Sequence, residues 1–322
     1  MPEPTPRERF IRALELGEPH TGLCPAIELG FQLWEEKFGR SPHAPAEYQE
    51  ADRSQRSRLR REDAELLCAC NEAYDLASCE LMYAHTAPGE DYYDALQELI
   101  GHLRDLSGDR YITLAHGDAT MALPDGNAMW ELTARMADDR AGLLRELDGH
   151  VDHMLEQAPQ LLAAGVEGFA LCADYCYNSG PWCSPAMFAD FVTPFLTRLT
   201  KGLRDLGAYV IKHTDGNIMP ILDQLVASQP HALHSLDPQA GVDMAEVKRL
   251  VGNQVCLVGN VNCGLLQTGT DEEVRESARY ALVHGMPGGG FAFALSNVVF
   301  KGMPLERYEL VQRVRHEIGV YP

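Results

Sequence analysis

The sequence predicts an α/β fold of the (βα)8 TIM-barrel class, and two observations lead to this prediction. Short apolar runs, rich in β-branched and aromatic residues, alternate along the chain with longer amphipathic patterns. Such alternation favours parallel strands joined by helices. Eight such runs occur in 322 residues, which fits the strand number and chain length of a closed barrel. We therefore expect a single barrel domain over residues 1–322.

The eight runs expected to form strands share an apolar interior. They are 24–29, 79–84, 110–116, 168–174, 208–213, 231–236, 255–260 and 291–295. Helical patterns separate them, most clearly over 140–163, 184–205, 217–228, 271–284 and 304–318. Ser184 followed by Pro185 is a helix start signal. Thr270 or Asp271, followed by acidic residues in the first turn, is another.

A doubly wound open sheet is the alternative architecture. Such a sheet usually carries a G-x-G-x-x-G phosphate loop after an early strand, and no such motif follows the first predicted strand. The segment 285–291, GMPGGGF, is rich in glycine but precedes a strand instead of opening a helix. Close backbone packing into the last strand explains this segment better than phosphate binding does.

Composition and charge argue against several functions. The net charge of −20 disfavours binding to nucleic acid or to an anionic membrane, because phosphates would be repelled. A basic patch on a protein partner would remain compatible with it. The N-terminal segment lacks the apolar core of a signal peptide, and no run approaches the roughly 18 apolar residues that span a bilayer, so we expect a cytoplasmic protein. Nine cysteines, an odd number, predict reduced thiols.

Polar or ionisable residues stand at the end of every predicted strand. In a (βα)8 barrel these ends form the functional face. The residues are Glu28, His85, His116, Asp174, His213 with Asp215, Asp237, Asn260 with Asn262, and Ser296 with Asn297. The strand interiors are almost wholly apolar, so we expect the polar side chains to surround a common site.

Several segments, in order along the chain, resemble the uroporphyrinogen decarboxylase superfamily. They are RERFIRALELGEPH, DYCYNSGPWCSPAMFADFVTPFL, HTDGNIMPILDQLV, DPQAGVDMAEVKRLVGNQVCLVGNVN, LLQTGTDEEVRESARYAL and SNVVFKGMPLERY. The resemblance covers nearly the whole chain and implies a (βα)8 barrel, in agreement with the strand count.

The resemblance points to one of two chemistries. Uroporphyrinogen decarboxylases carry an N-terminal arginine-rich motif that holds the substrate carboxylates, whereas the matching region here, 25–40, has Glu28 and further acidic residues. Because unpaired like charges are costly when desolvated, the resemblance implies the other branch. Its members are methyltransferases that exchange a methyl group between a small substrate and a corrinoid (cobalamin) on a partner protein. A decarboxylase of a porphyrinogen-like or smaller acid stays the alternative, and a non-catalytic binding protein is a third reading.

Members of that branch that activate coenzyme M bind zinc through H-x-C-G after the fifth strand and a cysteine after the eighth. Here Asp215 replaces the first cysteine beside His213, and the segment LSNVVFKGMP after the last strand has none. Without two thiolates that site is lost, so the resemblance implies demethylation of an O- or N-methyl compound. A zinc site of His213, Asp215 and Glu28 and a purely hydrogen-bonding site both stay open.

His213 and Asp215 are the candidate catalytic pair, with Asp174 as a third member. Residues two apart at a strand end point the same way. A neighbouring carboxylate would raise the pKa of His213 and favour an imidazolium that protonates the leaving group. The alternative is structural: His213 caps the next helix, and Asp215 forms a turn with Gly216.

Candidate substrate-binding residues are chosen for their position near strand ends or for their aromatic rings. They are Glu28, Trp34, His116, Tyr175, Asn178, Asn260 and Asn297. Loop capping or core packing is the competing explanation for such residues. The resemblance also implies a corrinoid-binding protein and a small methylated substrate as partners, and a homodimer is compatible with the sequence.

Overall fold

A computed structural model describes residues 3–17 and 21–322. Its strands are β1 (Gly22–Leu23), β2 (Ser78–Glu80), β3 (Ile112–His116), β4 (Gly168–Leu171), β5 (Cys176–Tyr177), β6 (Gly180–Pro181), β7 (Tyr209–His213), β8 (Ala232–His234), β9 (Cys256–Val261), β10 (Phe291–Leu295) and β11 (Val320–Tyr321). Its α-helices are α1 (Pro6–Leu14), α2 (Trp34–Phe38), α3 (Pro45–Glu50), α4 (Arg53–Tyr74), α5 (Tyr92–Ser107), α6 (Ala128–Asp138), α7 (Arg140–Ala164), α8 (Pro185–Phe191), α9 (Thr193–Asp205), α10 (Leu222–Ala227), α11 (Met244–Val251), α12 (Cys263–Thr268), α13 (Asp271–Gly285) and α14 (Leu305–Ile318).

Seven of these strands form one parallel sheet in the order β10-β9-β8-β7-β4-β3-β2. Every crossover between sequential strands of this sheet contains at least one α-helix, as parallel pairing requires. The register is continuous across the centre, where Ala170 of β4 pairs with both His116 and Ile211. The carboxyl ends of β2, β3, β4 and β7 therefore lie side by side.

The expected first strand, 24–29, is not a regular strand. Ala26 forms isolated parallel bridges to Leu76 and to Phe293, and its carbonyl accepts a hydrogen bond of 2.8 Å from the Ala77 backbone N–H. Pro25 has no N–H to donate to a ladder. The prediction of a closed eight-stranded barrel is therefore met in part: the regular architecture is a curled seven-stranded parallel sheet.

The interior of the curled sheet is filled mainly by small and branched side chains, among them Leu114, Ala170, Ile211, Val258 and Ala294. A larger apolar cluster packs between the outer face of the sheet and the helices. Small residues allow the strands to curl tightly around a narrow core.

Most predicted helices appear with bounds close to those expected, namely α7, α13 and α14. The expected helix 184–205 is divided at Val192 into α8 and α9, because Pro194 cannot donate a helical hydrogen bond. The expected helix 217–228 becomes a 3₁₀ turn, Met219–Ile221, followed by α10. Of the helices described, none is long and apolar enough to cross a membrane.

Candidate functional site

Asp174, His213 and Asp215 converge at the carboxyl end of the sheet. Asp174 follows β4, His213 ends β7, and Asp215 lies two residues further. Nε2 of His213 is 3.7 Å from Oδ1 of Asp174 and 3.8 Å from Oδ1 of Asp215. These distances are too long for hydrogen bonds. One potential ligand atom from each residue lies within 4.8 Å of the other two, so the three groups face a common space.

A hydrogen-bonded chain behind His213 defines which of its ring nitrogens faces that space. Nε2 of His234 lies 3.0 Å from the carbonyl oxygen of Leu295, which can only accept, so Nε2 carries the proton. Nδ1 of neutral His234 is then an acceptor. It lies 2.7 Å from Nδ1 of His213, which must donate. Nε2 of His213 is thereby left with a lone pair directed toward the carboxylates.

The expectation that His213 is an imidazolium acid is wrong. Burial, followed by the positive charge of Lys212, lowers the pKa of His213 to about 3. Burial also holds the pKa of His234 well below its usual value. Both rings are therefore neutral near pH 7. A neutral imidazole with a free Nε2 is suited to bind a metal ion and has no proton to give at that atom.

The two carboxylates crowd each other. Burial, followed by the negative charge of Asp174, raises the pKa of Asp215 to about 7. Oδ1 of Asp174 accepts a hydrogen bond of 2.9 Å from the backbone N–H of Asp215, and the Asn297 amide donates to Oδ2 of Asp215. A cation between the carboxylates would stabilise the charged form of Asp215 against both burial and repulsion by Asp174.

A buried ion pair fixes the segment that carries Asp174. Lys212 is fully buried, and its Nζ lies 2.8 Å from Oδ2 of Asp118 and 2.8 Å from the carbonyl oxygen of Ala173. The same Asp118 oxygen accepts a hydrogen bond of 2.8 Å from the N–H of Ala173. The Tyr175 ring centroid lies 4.0 Å from Nζ of Lys212. Both neighbours of Asp174 along the chain are thus held by one charged pair.

His116 and Glu80 form a second pair at the ends of β3 and β2. Nε2 of His116 lies 2.6 Å from Oε1 of Glu80, and the two side chains are 46% and 7% exposed. Hydrogen bonding to the Cys172 thiol and then to Glu80 raises the pKa of His116 to about 10, whereas burial raises the pKa of Glu80. Glu80 is not among the predicted site residues, because the sequence places it inside the strand 79–84, whereas β2 ends at Glu80.

Glu28 lies away from the converging residues. Its Oε2 accepts a 3.4 Å hydrogen bond from the Leu295 N–H, and burial raises its pKa to about 8. Ile27 and Leu29 belong to the interior cluster. Since side chains alternate in extended chain, Glu28 points the other way, where Tyr308 of α14 contacts it. Among the described residues, the group whose potential ligand atoms lie close together is Asp174, His213 and Asp215, and Glu28 is not part of it.

Three of the expected substrate contacts are engaged in packing. Trp34 is buried, and its Nε1 donates to the Tyr83 hydroxyl over 3.2 Å. Tyr175 is buried with its hydroxyl 2.5 Å from that of Thr120. Nδ2 of Asn260 donates to the Leu236 carbonyl over 2.9 Å.

The remaining expected contacts are divided between the surface and the site. Asn178 is exposed in the turn between β5 and β6. Asn297 is the predicted substrate residue that the fold places against the converging carboxylates, through its bond to Asp215. The sequence analysis missed Lys212 as a site residue, although a lysine inside the apolar run 208–213 was a visible signal.

Several solved structures are similar to this chain. The solved structure of a methyltransferase from Methanosarcina mazei is similar, with a TM-score of 0.74 and 18% identity over 97% of this chain and 98% of that chain; at this identity the likeness shows a shared fold. A β-mannanase from the blue mussel Mytilus edulis has a TM-score of 0.46 and 12% identity, covering 93% and 92% of the two chains. An L-ribulose 3-epimerase has a TM-score of 0.45 and 11% identity, covering 86% and 92%.

Comparison with curated protein sequences finds no match. The family model described as uroporphyrinogen decarboxylase (URO-D) matches residues 126–318, which is more than half of the chain. This match confirms, at the level of the superfamily, the resemblance carried by the sequence motifs. The chain belongs to the uroporphyrinogen decarboxylase family.

Proposed function

We propose that this protein is a methyltransferase that moves a methyl group from a small O- or N-methyl compound to the cobalt of a corrinoid carried on a partner protein. The observation that carries the proposal is the cluster of one imidazole lone pair and two crowded carboxylates at the carboxyl end of the sheet. Membership of the family supports a methyltransferase-type or decarboxylase-type enzyme. The cluster favours the first of these, because it presents metal ligands instead of cations.

The donor set of Asp174, His213 and Asp215 fits a divalent ion such as zinc. Imidazole nitrogen and carboxylate oxygen are both ordinary zinc ligands, and catalytic zinc sites typically use three protein ligands and keep one position open. Burial and then the negative charge of Asp174 raise the pKa of Asp215, and a bound cation would stabilise the charged form of this carboxylate. A zinc ion held there would act as a Lewis acid on the heteroatom that loses its methyl group.

The surrounding residues orient this set. His234 and the Leu295 carbonyl keep the proton of His213 on Nδ1 and leave Nε2 free. Asn297 fixes one oxygen of Asp215 by donating to it. Such contacts from outside the ligand set hold ligands in a single geometry and strengthen metal binding.

Exposed apolar side chains around the same end of the sheet form the proposed contact surface for the protein partner. Met82 follows β2, Trp130 lies on α6 after β3, and Tyr177 lies in β5 after β4; they are 52%, 83% and 47% exposed. Exposed aromatic residues and methionine are enriched in protein interfaces. Together with the net charge of −20, this supports a corrinoid protein with a basic face.

The test combines purified protein, a reduced corrinoid protein and a panel of methyl ethers and methylamines. We expect the absorption spectrum of the cobalt centre to change with at least one compound. The Asp174→Asn variant should lose this activity, while Asp190→Asn, at an exposed position on α8, should keep it. A folded protein that gives no spectral change with any compound would contradict the proposal.

A decarboxylase of a porphyrinogen-like or smaller acid is the second candidate, and the family match over residues 126–318 favours it. Such an enzyme needs cations that hold several carboxylates, whereas the converging groups include Asp174 and Asp215. Release of CO2 from an acid panel, without any corrinoid protein, would establish this activity in place of methyl transfer.

A further inference from the structure

Glu80, His116 and Cys172 form a polar group beside the proposed metal ligands. Glu80 ends β2, His116 ends β3 and Cys172 directly follows β4, and these three strands are neighbours in the sheet. The group lies at the same carboxyl end of the sheet as His213, because His116 pairs with Ala170 of β4, which in turn pairs with Ile211 of β7. A ligand held between Asp174 and Asp215 would therefore have the imidazole of His116 within its surroundings.

The pairing of His116 with Glu80 builds a fixed cation with an open side. The Glu80 carboxylate is 7% exposed and lies 2.6 Å from Nε2, whereas the His116 side chain is 46% exposed. A buried carboxylate without a partner would be strongly destabilising, so Glu80 anchors the ring and its charge. The ring remains accessible from the side that does not face Glu80.

The second partner of the ring is a thiol. Cys172 is hydrogen-bonded to His116, and a thiol sulfur is a weaker hydrogen-bond acceptor than a carboxylate. A ligand carboxylate could displace the thiol from this N–H, because an ionised carboxylate is the stronger acceptor. A ligand carboxylate would form a charge-assisted hydrogen bond there, which is about twice as strong as a neutral one.

Lys212, the neighbouring cation, is not available for this role. It is fully buried, and its Nζ already contacts Asp118, the Leu171 carbonyl at 3.1 Å and the Ala173 carbonyl. A lysine ammonium has three donors, and all three have acceptors here. His116, in contrast, has a half-exposed side chain at the same end of the sheet.

We propose that His116, anchored by Glu80, is a subsite for a carboxylate of the methyl donor, so that the substrates are small methylated carboxylic acids. This inference rests on the proposed methyl transfer, because the ligand is a methyl donor only if that reaction takes place. The subsite itself is a matter of binding and can be tested without turnover.

The experiment measures binding by calorimetry to the full-length protein at pH 7. The probes are two pairs that differ in one charge: 4-methoxybenzoate with 4-methoxybenzamide, and N,N-dimethylglycine with its amide. We expect at least one acid to bind about 10-fold or more tightly than its amide, which corresponds to about 1.4 kcal/mol. His116→Gln should abolish this preference, and Glu80→Gln should reduce it. His150→Gln, at an exposed position on α7, is the matched control and should keep it.

Two results would overturn the subsite. One is equal binding of acid and amide to the unmodified protein, including binding of neither. The other is a preference for the acid that survives His116→Gln in a protein with an unchanged circular dichroism spectrum. Labelling of Cys172 with iodoacetamide provides a further check. If His116→Gln slows a fast labelling reaction and leaves the preference for the acid unchanged, the role of His116 is to activate the thiol and not to bind a carboxylate. Either result would leave the proposed methyl transfer intact, because binding is measured without turnover.

Discussion

Nδ1 of His213 lies 2.7 Å from Nδ1 of His234, and this contact determines what His213 can do. Two neutral imidazoles can share one hydrogen bond only if one donates and the other accepts. Because His234 uses its own proton on the Leu295 carbonyl, His213 is the donor. The nitrogen that faces Asp174 and Asp215 is therefore unprotonated, as a metal ligand must be.

Removing the acceptor behind His213 should weaken metal binding. In His234→Ala the proton of His213 is free to move to Nε2, and the ring loses its fixed orientation. Losses from such supporting contacts are typically about 10–100-fold in metal affinity. Zinc affinity measured by competition with a chelator should fall within that range, while His284→Gln on α13 should bind as the unmodified protein does. An unchanged affinity of His234→Ala would contradict the role of the histidine pair.

The metal-free protein should show a pH dependence that arises from Asp215. Its pKa is raised to about 7 in the folded chain, above the unfolded value of about 3.9. The folded state therefore holds a proton that the unfolded state has lost, and stability falls as the pH rises from about 4 to about 7. Denaturant unfolding with a chelator present should show that Asp215→Asn removes this part of the decline. The same pH profile in both proteins would refute the assignment.

The buried ion pair should be needed both for stability and for the placement of Asp174. Asp118→Asn leaves the buried ammonium of Lys212 without its anion, and breaking a buried pair in this way costs about 3–5 kcal/mol. Replacing both, as Lys212→Met with Asp118→Leu, removes the unpaired charge and should recover part of that stability. It should not recover zinc affinity, because Ala173 has lost the groups that held it. Recovery of both by the double variant would show that the pair does not position Asp174.

Glu28→Gln should leave zinc binding unchanged. The Glu28 carboxyl has a pKa of about 8 and is thus mostly protonated at pH 7, where the amide of glutamine resembles it in shape and charge. Its position against Leu295 and α14 also keeps it apart from the three converging residues. A large loss of zinc in this variant would restore Glu28 as a ligand.

Much of the fold could be predicted from the sequence because parallel strands, covered on both faces, appear as apolar runs. The last of the eight predicted strands, 291–295, has the same bounds as β10. The predicted strand 79–84 extends past Glu80, where β2 ends. Leu81 and Ala84 are buried in the loop that follows, and hydrophobicity does not separate a buried loop from a strand. Pro25 marks the place where the first expected strand fails to form a regular ladder.

From the sequence, site residues could be predicted where they lie at strand ends or are close together in the chain. Asp174, His213 and Asp215 each lie at or just after a strand end, and the fold brings them together. The side to which Glu28 points was not predictable, because one residue of register reverses it. The partnership of His213 with His234 depends on the pairing of β7 with β8, which nothing in the local sequence of either strand reveals.

The proposed zinc site is tested most directly by zinc K-edge X-ray absorption of the purified protein, together with a measurement of its metal content. We expect about one zinc ion per chain, with nitrogen and oxygen ligands at about 2.0–2.2 Å and no sulfur near 2.3 Å. His213→Ala should lose the ion. A protein that binds no divalent metal, or one whose zinc is bound by cysteine sulfur, would contradict the proposed site of His213, Asp174 and Asp215.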